Sequence, residues 1–96
     1  MPRDVKLTYL KKAKKFLDKN PHLITENEVD ILVVKSIQKV FLNRDTNVDV
    51  KQLQGDLKSY YRIRKGNLRI IVQIVDNEII VEAIINDIGF RGDIYK

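Results

Sequence analysis

Three arginines, Arg62, Arg64 and Arg69, bracket the dipeptide Gly66-Asn67 in the stretch from Ser59 to Val72. Side chains in a strand alternate with period two, so Tyr61-Arg62-Ile63-Arg64 sends apolar and cationic groups to opposite sides. Gly66 and Asn67 both tolerate positive φ, which a two-residue hairpin turn requires. Beyond the turn, Arg69 leads into the nearly unbroken apolar run Ile70-Ile71-Val72-Gln73-Ile74-Val75. The expected result is a hairpin with a greasy underside and three guanidiniums close together. A guanidinium carries a permanent charge, and its fork of N–H donors matches phosphate oxygens. It does not titrate near neutrality, so such a cluster suits charge stabilisation and not proton transfer. Alternating Arg62 and Arg64 also fit an ordinary solvated sheet face. Arg69 is more informative, because a charge beside an apolar run needs a partner or a purpose.

The distribution of charge supports a positive patch. The chain of 96 residues carries a net charge of +5, with a pI of about 9.5. From Val50 to Ile70 the charged residues are Lys51, Lys58, Arg62, Arg64, Lys65 and Arg69 against Asp56 alone, whereas Ile71 to Phe90 contains acids and no Lys or Arg. A basic surface of this kind fits a polyanionic partner, and solubility is the plainer explanation.

The elements that must position the arginines follow from periodicity. Asp4 to Thr8 reads as a short strand with Val5 and Leu7 on one side. From Tyr9 the spacing turns helical, with Leu10, Ala13, Phe16 and Leu17 as an apolar stripe and Lys11, Lys12, Lys14, Lys15 and Lys19 opposite. That lysine face is a solvated surface or a contact for nucleic-acid backbone, with the former favoured. Asn20-Pro21 ends the helix. Thr25-Glu26-Asn27-Glu28 has the form of a capping box and opens a second helix to about Asn43. Its expected apolar face is Val29, Leu32, Val33, Ile37, Val40 and Phe41. Val48 to Leu53 reads as a short strand or as an extended entry to Gly55. After the arginine hairpin come a turn at Asp76-Asn77 and a strand from Glu78 to Ile85. Together these predict one α+β domain over residues 1–96. A short N-terminal strand and a two-helix hairpin pack on a small, mainly antiparallel sheet in the order β-α-α-β-β-β, with one further short strand if Val48 to Leu53 pairs.

Composition removes several chemistries. There is no cysteine and a single histidine, His22, in the loop after Pro21. Disulfides, thiol nucleophiles, zinc ribbons and a Ser-His-Asp triad are not expected, and His22 is given no catalytic role. No apolar run approaches the ~20 residues of a membrane helix, so no membrane partner is expected. Met1-Pro2-Arg3-Asp4 has no signal-peptide character, which places the expected location in the cytoplasm.

Leu53-Gln54-Gly55, then Tyr61-Arg62-Ile63-Arg64-Lys65-Gly66-Asn67-Leu68-Arg69-Ile70, then Arg91-Gly92-Asp93-Ile94-Tyr95 resemble, in order and spacing, the RelE/ParE superfamily of type II toxins. The resemblance covers the whole chain and implies a RelE-like fold. RelE-like members cleave mRNA in the ribosomal A site through its own 2′-hydroxyl, without metal or other cofactor. ParE-like members instead poison DNA gyrase by protein contact, and some relatives have no known activity and would only bind antitoxin. The first reading is the leading one. It implies a cognate antitoxin, the ribosome and mRNA as partners; the second implies gyrase. On the RelE reading, Arg62 and Arg64 stand beside the scissile phosphate and Arg69 matches the family arginine after the turn. Arg91 and Tyr95 match the C-terminal motif, and Lys51, Lys58 and Lys65 add contacts to RNA. Phe90 stands where many relatives carry histidine or lysine, so that acid/base is missing, and Glu82 is placed to neutralise part of the patch.

Cleavage by the 2′-hydroxyl needs a group to take its proton, stabilisation of phosphate charge and a proton for the leaving 5′-oxygen. The arginines serve the second need. Tyr95 is the candidate base or stacking platform, and orientation of the strand by the ribosome supplies much of the remainder. Tyr95 as a mere tail anchor, and Asp93 as the partner of a local arginine, are the plainer roles.

Overall fold

The computed structural model describes residues 4–55, 59–76 and 80–90. Its elements, in chain order, are β1 (Asp4–Tyr9), α1 (Lys11–Lys19), α2 (Glu26–Phe41), β2 (Asp49–Gln52), β3 (Tyr60–Lys65), β4 (Leu68–Asp76) and β5 (Ile80–Phe90). The strands form one sheet in the order β1-β5-β4-β3-β2, with β1 parallel to β5 and every other pair antiparallel. This is the expected α+β arrangement, and Val48 to Leu53 does contribute a short strand.

The hairpin at the centre has the predicted two-residue turn, since Lys65 pairs with Leu68. Gly66 takes φ +58, and Asn67 stays negative, because Asn43 is the one non-glycine with positive φ among the described residues. That is the φ pattern of a II′ turn, whose twist suits the flanking strands.

One sheet face and the two helices enclose the core. Even-numbered Leu68, Ile70, Val72 and Ile74 of β4 are buried, as are Tyr61 and Ile63 of β3. They pack in one cluster with Ala13 and Leu17 of α1 and Val29, Val33 and Ile37 of α2. Burying each such aliphatic side chain contributes about 1.5–3 kcal/mol. The capping box forms as read: Thr25 Oγ1 accepts from the Glu28 amide at 3.2 Å, and Glu28 Oε1 accepts from the Thr25 amide at 3.2 Å.

Three details differ from the periodicity. Tyr9 belongs to β1 and Leu10 is the exposed N-cap of α1, because the parallel ladder runs on through Tyr9–Ile85 and Leu10 N–H donates to Ile85 O at 3.0 Å. Tyr9 Oη instead donates to Asp30 at 2.5 Å and to the Glu26 carbonyl at 3.1 Å, clasping β1 to the first turns of α2. Burial, then the Asp30 carboxylate, push its pKa far above the ordinary tyrosine value. Val40 is exposed, and α2 ends at Phe41, short of Asn43.

The third difference shapes the site. β5 continues five residues beyond the expected end at Ile85, through a β-bulge. The partner of Ile71 is Asp87 and the partner of Val72 is Ile85, so Asn86 is the extra residue. Inward-facing residues are therefore Val81, Ala83 and Ile85 before the bulge and Ile88 after it. A bulge re-aims the side chains that follow it. Without this one, Asp87 would face the apolar core. The expected turn residue Asn77 lies outside the described residues.

Candidate nucleic-acid interface

The face of the sheet away from the core collects the charged residues in two rows, each running across the strands. Residues directly opposite one another on neighbouring strands share a face. One row is Asp49 on β2, Arg64 on β3, Arg69 on β4 and Gly89 on β5. The next is Lys51, Arg62, Ile71 and Asp87 on the same four strands. Four cations and two carboxylates thus stand on adjoining strands whose spacing is fixed by backbone hydrogen bonds. The sequence reading brought Arg62, Arg64 and Arg69 together, and the register does place them so.

Their surroundings differ. Arg64 is half-exposed, and its Nε lies 2.8 Å from Asp49 Oδ2. Arg62 reaches the other oxygen of the same carboxylate, Nη2 to Oδ1 at 3.3 Å, and its Nε is buried with no hydrogen-bond partner among the described residues. Arg69 is only 5% exposed. Its Nη1 donates to the Gly66 carbonyl at 3.0 Å and the Leu68 carbonyl at 2.9 Å, which ties the guanidinium to the hairpin turn. Arg69 therefore secures the turn as well as adding charge under the row.

Lys51 is exposed opposite Arg62. Lys65 stands apart from the cluster: two residues on from Ile63, it shares the side of the inward-facing Tyr61 and Ile63, and its Nζ lies 2.9 Å from Glu28 Oε2 at the start of α2. The Lys65 ammonium, with the Thr25 amide, holds the Glu28 carboxyl below its ordinary range. Lys58, Arg91 and Tyr95 lie outside the described residues.

The acids near the patch are not the one singled out by sequence. Glu82 pairs with Val75 and Lys6, on the far side of the bulge from both arginine rows. Asp49 and Asp87 are the carboxylates that belong to the rows, and Asp87 is itself held by Lys12 of α1 at 3.1 Å. The alternation of Val48 and Val50 against Asp49 and Lys51 gives the side of the strand that Asp49 occupies, but its place beside the arginines comes only from the pairing with β3. For Asp87 not even the side is legible, because it depends on the bulge. Phe90 meets Phe16 of α1 edge-on, with ring centroids 5.8 Å apart, so it anchors the end of β5. Tyr61 packs edge-on to Phe41 at 6.1 Å, and burial raises its hydroxyl pKa. Among the described residues no group of three or more His, Cys, Asp or Glu is placed to hold a metal ion, and no helix is long and apolar enough to cross a membrane.

No family model and no curated protein matches the sequence. Solved structures do match in fold. The chain is similar to YafQ in the E. coli DinJ–YafQ toxin–antitoxin complex, at 15% identity and TM-score 0.63, covering 100% of each chain. It is similar to a chain of the RelB–RelE antitoxin–toxin complex of Methanococcus jannaschii, at 22% identity and TM-score 0.55, covering 92% of this chain and 94% of that one. A YoeB/ParE toxin from Agrobacterium tumefaciens matches at 11% identity and TM-score 0.61, over 90% and 98% of the two chains. The chain has the fold of the RelE/ParE-type toxins.

Proposed function

We propose that this protein is the toxin of a type II toxin–antitoxin system and acts as a ribosome-dependent mRNA endoribonuclease. The observation that carries this reading is the pair of rows on the core-free face, where Lys51, Arg62, Arg64 and Arg69 are held in register on β2, β3 and β4. Fold alone serves both nucleases and gyrase poisons, so the site must make the distinction. A rigid strand-borne cluster of guanidiniums suits a phosphodiester.

In the proposed reaction the 2′-hydroxyl oxygen of one nucleotide attacks the adjoining phosphorus. Its proton passes to a base, the bond to the 5′-oxygen of the next nucleotide breaks, and that oxygen takes up a proton. The products are a 2′,3′-cyclic phosphate and a 5′-hydroxyl, with no net oxidation. Arg64 and Arg62 stabilise the charge on the non-bridging oxygens, worth more here than in bulk water because the site is partly desolvated. Arg69 adds positive potential from beneath and keeps the hairpin rigid. Arg91 and Tyr95 are assigned to the same site by the motif they match, with Tyr95 as proton acceptor or stacking surface. In-line positioning of the strand by the ribosome supplies orientation that this small protein cannot.

The partner implied is an antitoxin with an acidic segment, which complements the cationic rows. Exposed Ile31 on α2, Leu42 just past its end and Val5 on β1 offer it apolar surface as well. A cytoplasmic location follows from this function.

The test is mapping of 5′ ends on a reporter mRNA in a bacterial translation extract, with and without ribosomes, for the wild type and Arg64→Gln. Ribosome-dependent cuts absent with the variant are expected. Intact mRNA together with trapped gyrase–DNA complexes would replace the nuclease reading by the ParE-like one.

A further inference from the structure

Asp49 holds a place that the proposed function leaves unexplained. Both of its carboxylate oxygens face the arginines, one on Arg64 Nε at 2.8 Å and the other on Arg62 Nη2 at 3.3 Å. Two anionic oxygens, each taken by a separate guanidinium, reproduce the demand of the two non-bridging oxygens of a phosphodiester. Asp49 stands on β2, a four-residue strand at the edge of the sheet that pairs with β3 alone. Its side chain is 46% exposed, whereas that of Arg62 is 20% exposed. The carboxylate can therefore swing towards water from the sheet edge while Arg62 stays put on an inner strand; Arg64, 51% exposed, remains open to an incoming phosphate.

We infer that Asp49 is an internal competitor for the phosphate-binding arginines: it occupies Arg62 and Arg64 in the free protein and must be displaced by the RNA backbone. The residue sets a threshold. An isolated phosphate only replaces the two ion pairs that Asp49 already makes, so it gains little by displacing the carboxylate. A strand that also engages Lys51 and neighbouring cations gains enough to displace the carboxylate. Asp49 is thus a specificity-determining residue for polyanions presented along the sheet. It also neutralises part of a like-charged cluster until substrate arrives, which lowers the cost of holding the arginines together.

This inference rests on the reading of the face as a receiver of RNA phosphates, so the test measures binding and not cleavage. The probe is a fluorescent 12-nucleotide single-stranded RNA, 2′-O-methylated throughout so that no hydroxyl can attack. Anisotropy titrations at several salt concentrations would compare the wild type, Asp49→Asn, Asp49→Ser and Asp45→Asn. The last removes a carboxylate from the exposed loop before β2 and controls for net charge. Partly exposed ion pairs are each worth a small factor, so Asp49→Asn and Asp49→Ser should bind about threefold to twentyfold tighter than wild type. Their salt dependence should steepen by roughly the contribution of one further phosphate, about 0.7 in the log–log slope. Asp45→Asn should change neither by as much. Equal tightening by Asp45→Asn, unchanged affinity in the Asp49 variants, or no binding by any of the proteins overturns the inference. Tightening without mRNA cleavage in the extract would leave the inference standing and remove the nuclease; cleavage with unchanged affinity would do the reverse.

Discussion

Arg64 and Arg69 stand directly opposite one another across the β3–β4 ladder, two like charges in register at the base of a tight turn. Like charges so placed destabilise a sheet. The pair persists because each guanidinium is engaged elsewhere, Arg64 by Asp49 and Arg69 by the Gly66 and Leu68 carbonyls. Local costs held in check by neighbours are expected at functional sites, and the proposed function would give this one its reason.

Arg64→Gln should therefore separate function from stability. It removes both the repulsion towards Arg69 and the half-exposed pair with Asp49, and these oppose one another. Urea unfolding should shift by no more than about 0.5 kcal/mol in either direction. Ribosome-dependent cleavage should fall roughly a hundredfold, as when one preorganised charge-stabilising donor is lost. A large loss of stability with retained cleavage would invert the assignment.

Arg69 should behave differently. Its guanidinium is buried and makes two bonds to turn carbonyls, so Arg69→Ala leaves those carbonyls short of a donor and costs about 1–3 kcal/mol. Lost cleavage in that variant would report folding as much as chemistry. Arg69→Lys keeps the charge but not the fork, and should restore less than half of the lost stability. Denaturant midpoints for the two variants beside the wild type measure this directly.

Tyr9 and Asp30 give a third prediction. Tyr9→Phe leaves the part-buried Asp30 carboxylate without its donor and frees β1 from α2, at a cost of about 1–3 kcal/mol. The hydroxyl's pKa is raised by burial and by Asp30, so Tyr9 should remain protonated as an ordinary tyrosine ionises. Absorbance titration at alkaline pH should be nearly the same for wild type and Tyr9→Phe until the fold gives way. An early loss of one ionising group in the variant would contradict the hydrogen bond.

How much of this was legible follows from the range of each interaction. The turn at Gly66, the capping box at Thr25 and the side of β3 that carries Arg62 and Arg64 are set within a few residues, and periodicity reads them. Tyr9 was drawn into the helix because the apolar stripe continues through Leu10, whereas a parallel ladder to Ile85, some 75 positions away, claims it for β1. Asp87 was hidden by the bulge at Asn86, which no alternation rule registers. Lys65 looks like one of the cluster, since β3 is rich in cations, yet period two puts it on the face of Ile63, away from Arg62 and Arg64. The place of Asp49 beside the arginines is not legible, because an edge strand's partner is not written in its own residues. The arginines were visible and their internal anion was not.

That cation on the other face supports the last prediction. Lys65 pairs with Glu28, whose carboxyl also closes the capping box on the Thr25 amide. Glu28→Gln keeps an oxygen for the cap and removes only the charge, because glutamine serves a capping box as glutamate does. The lowered carboxyl pKa means that ionised Glu28 favours the folded state. Its contribution is present above the unfolded value, near the ordinary 4.5, and disappears as the pH drops through the lowered folded value. Wild type should thus be more stable than Glu28→Gln at pH 7, and the two should converge once the pH lies below that folded value. Paired urea titrations across this range show the convergence, and a difference that persisted in strong acid would mean that the cap, and not the ion pair with Lys65, was what the substitution disturbed.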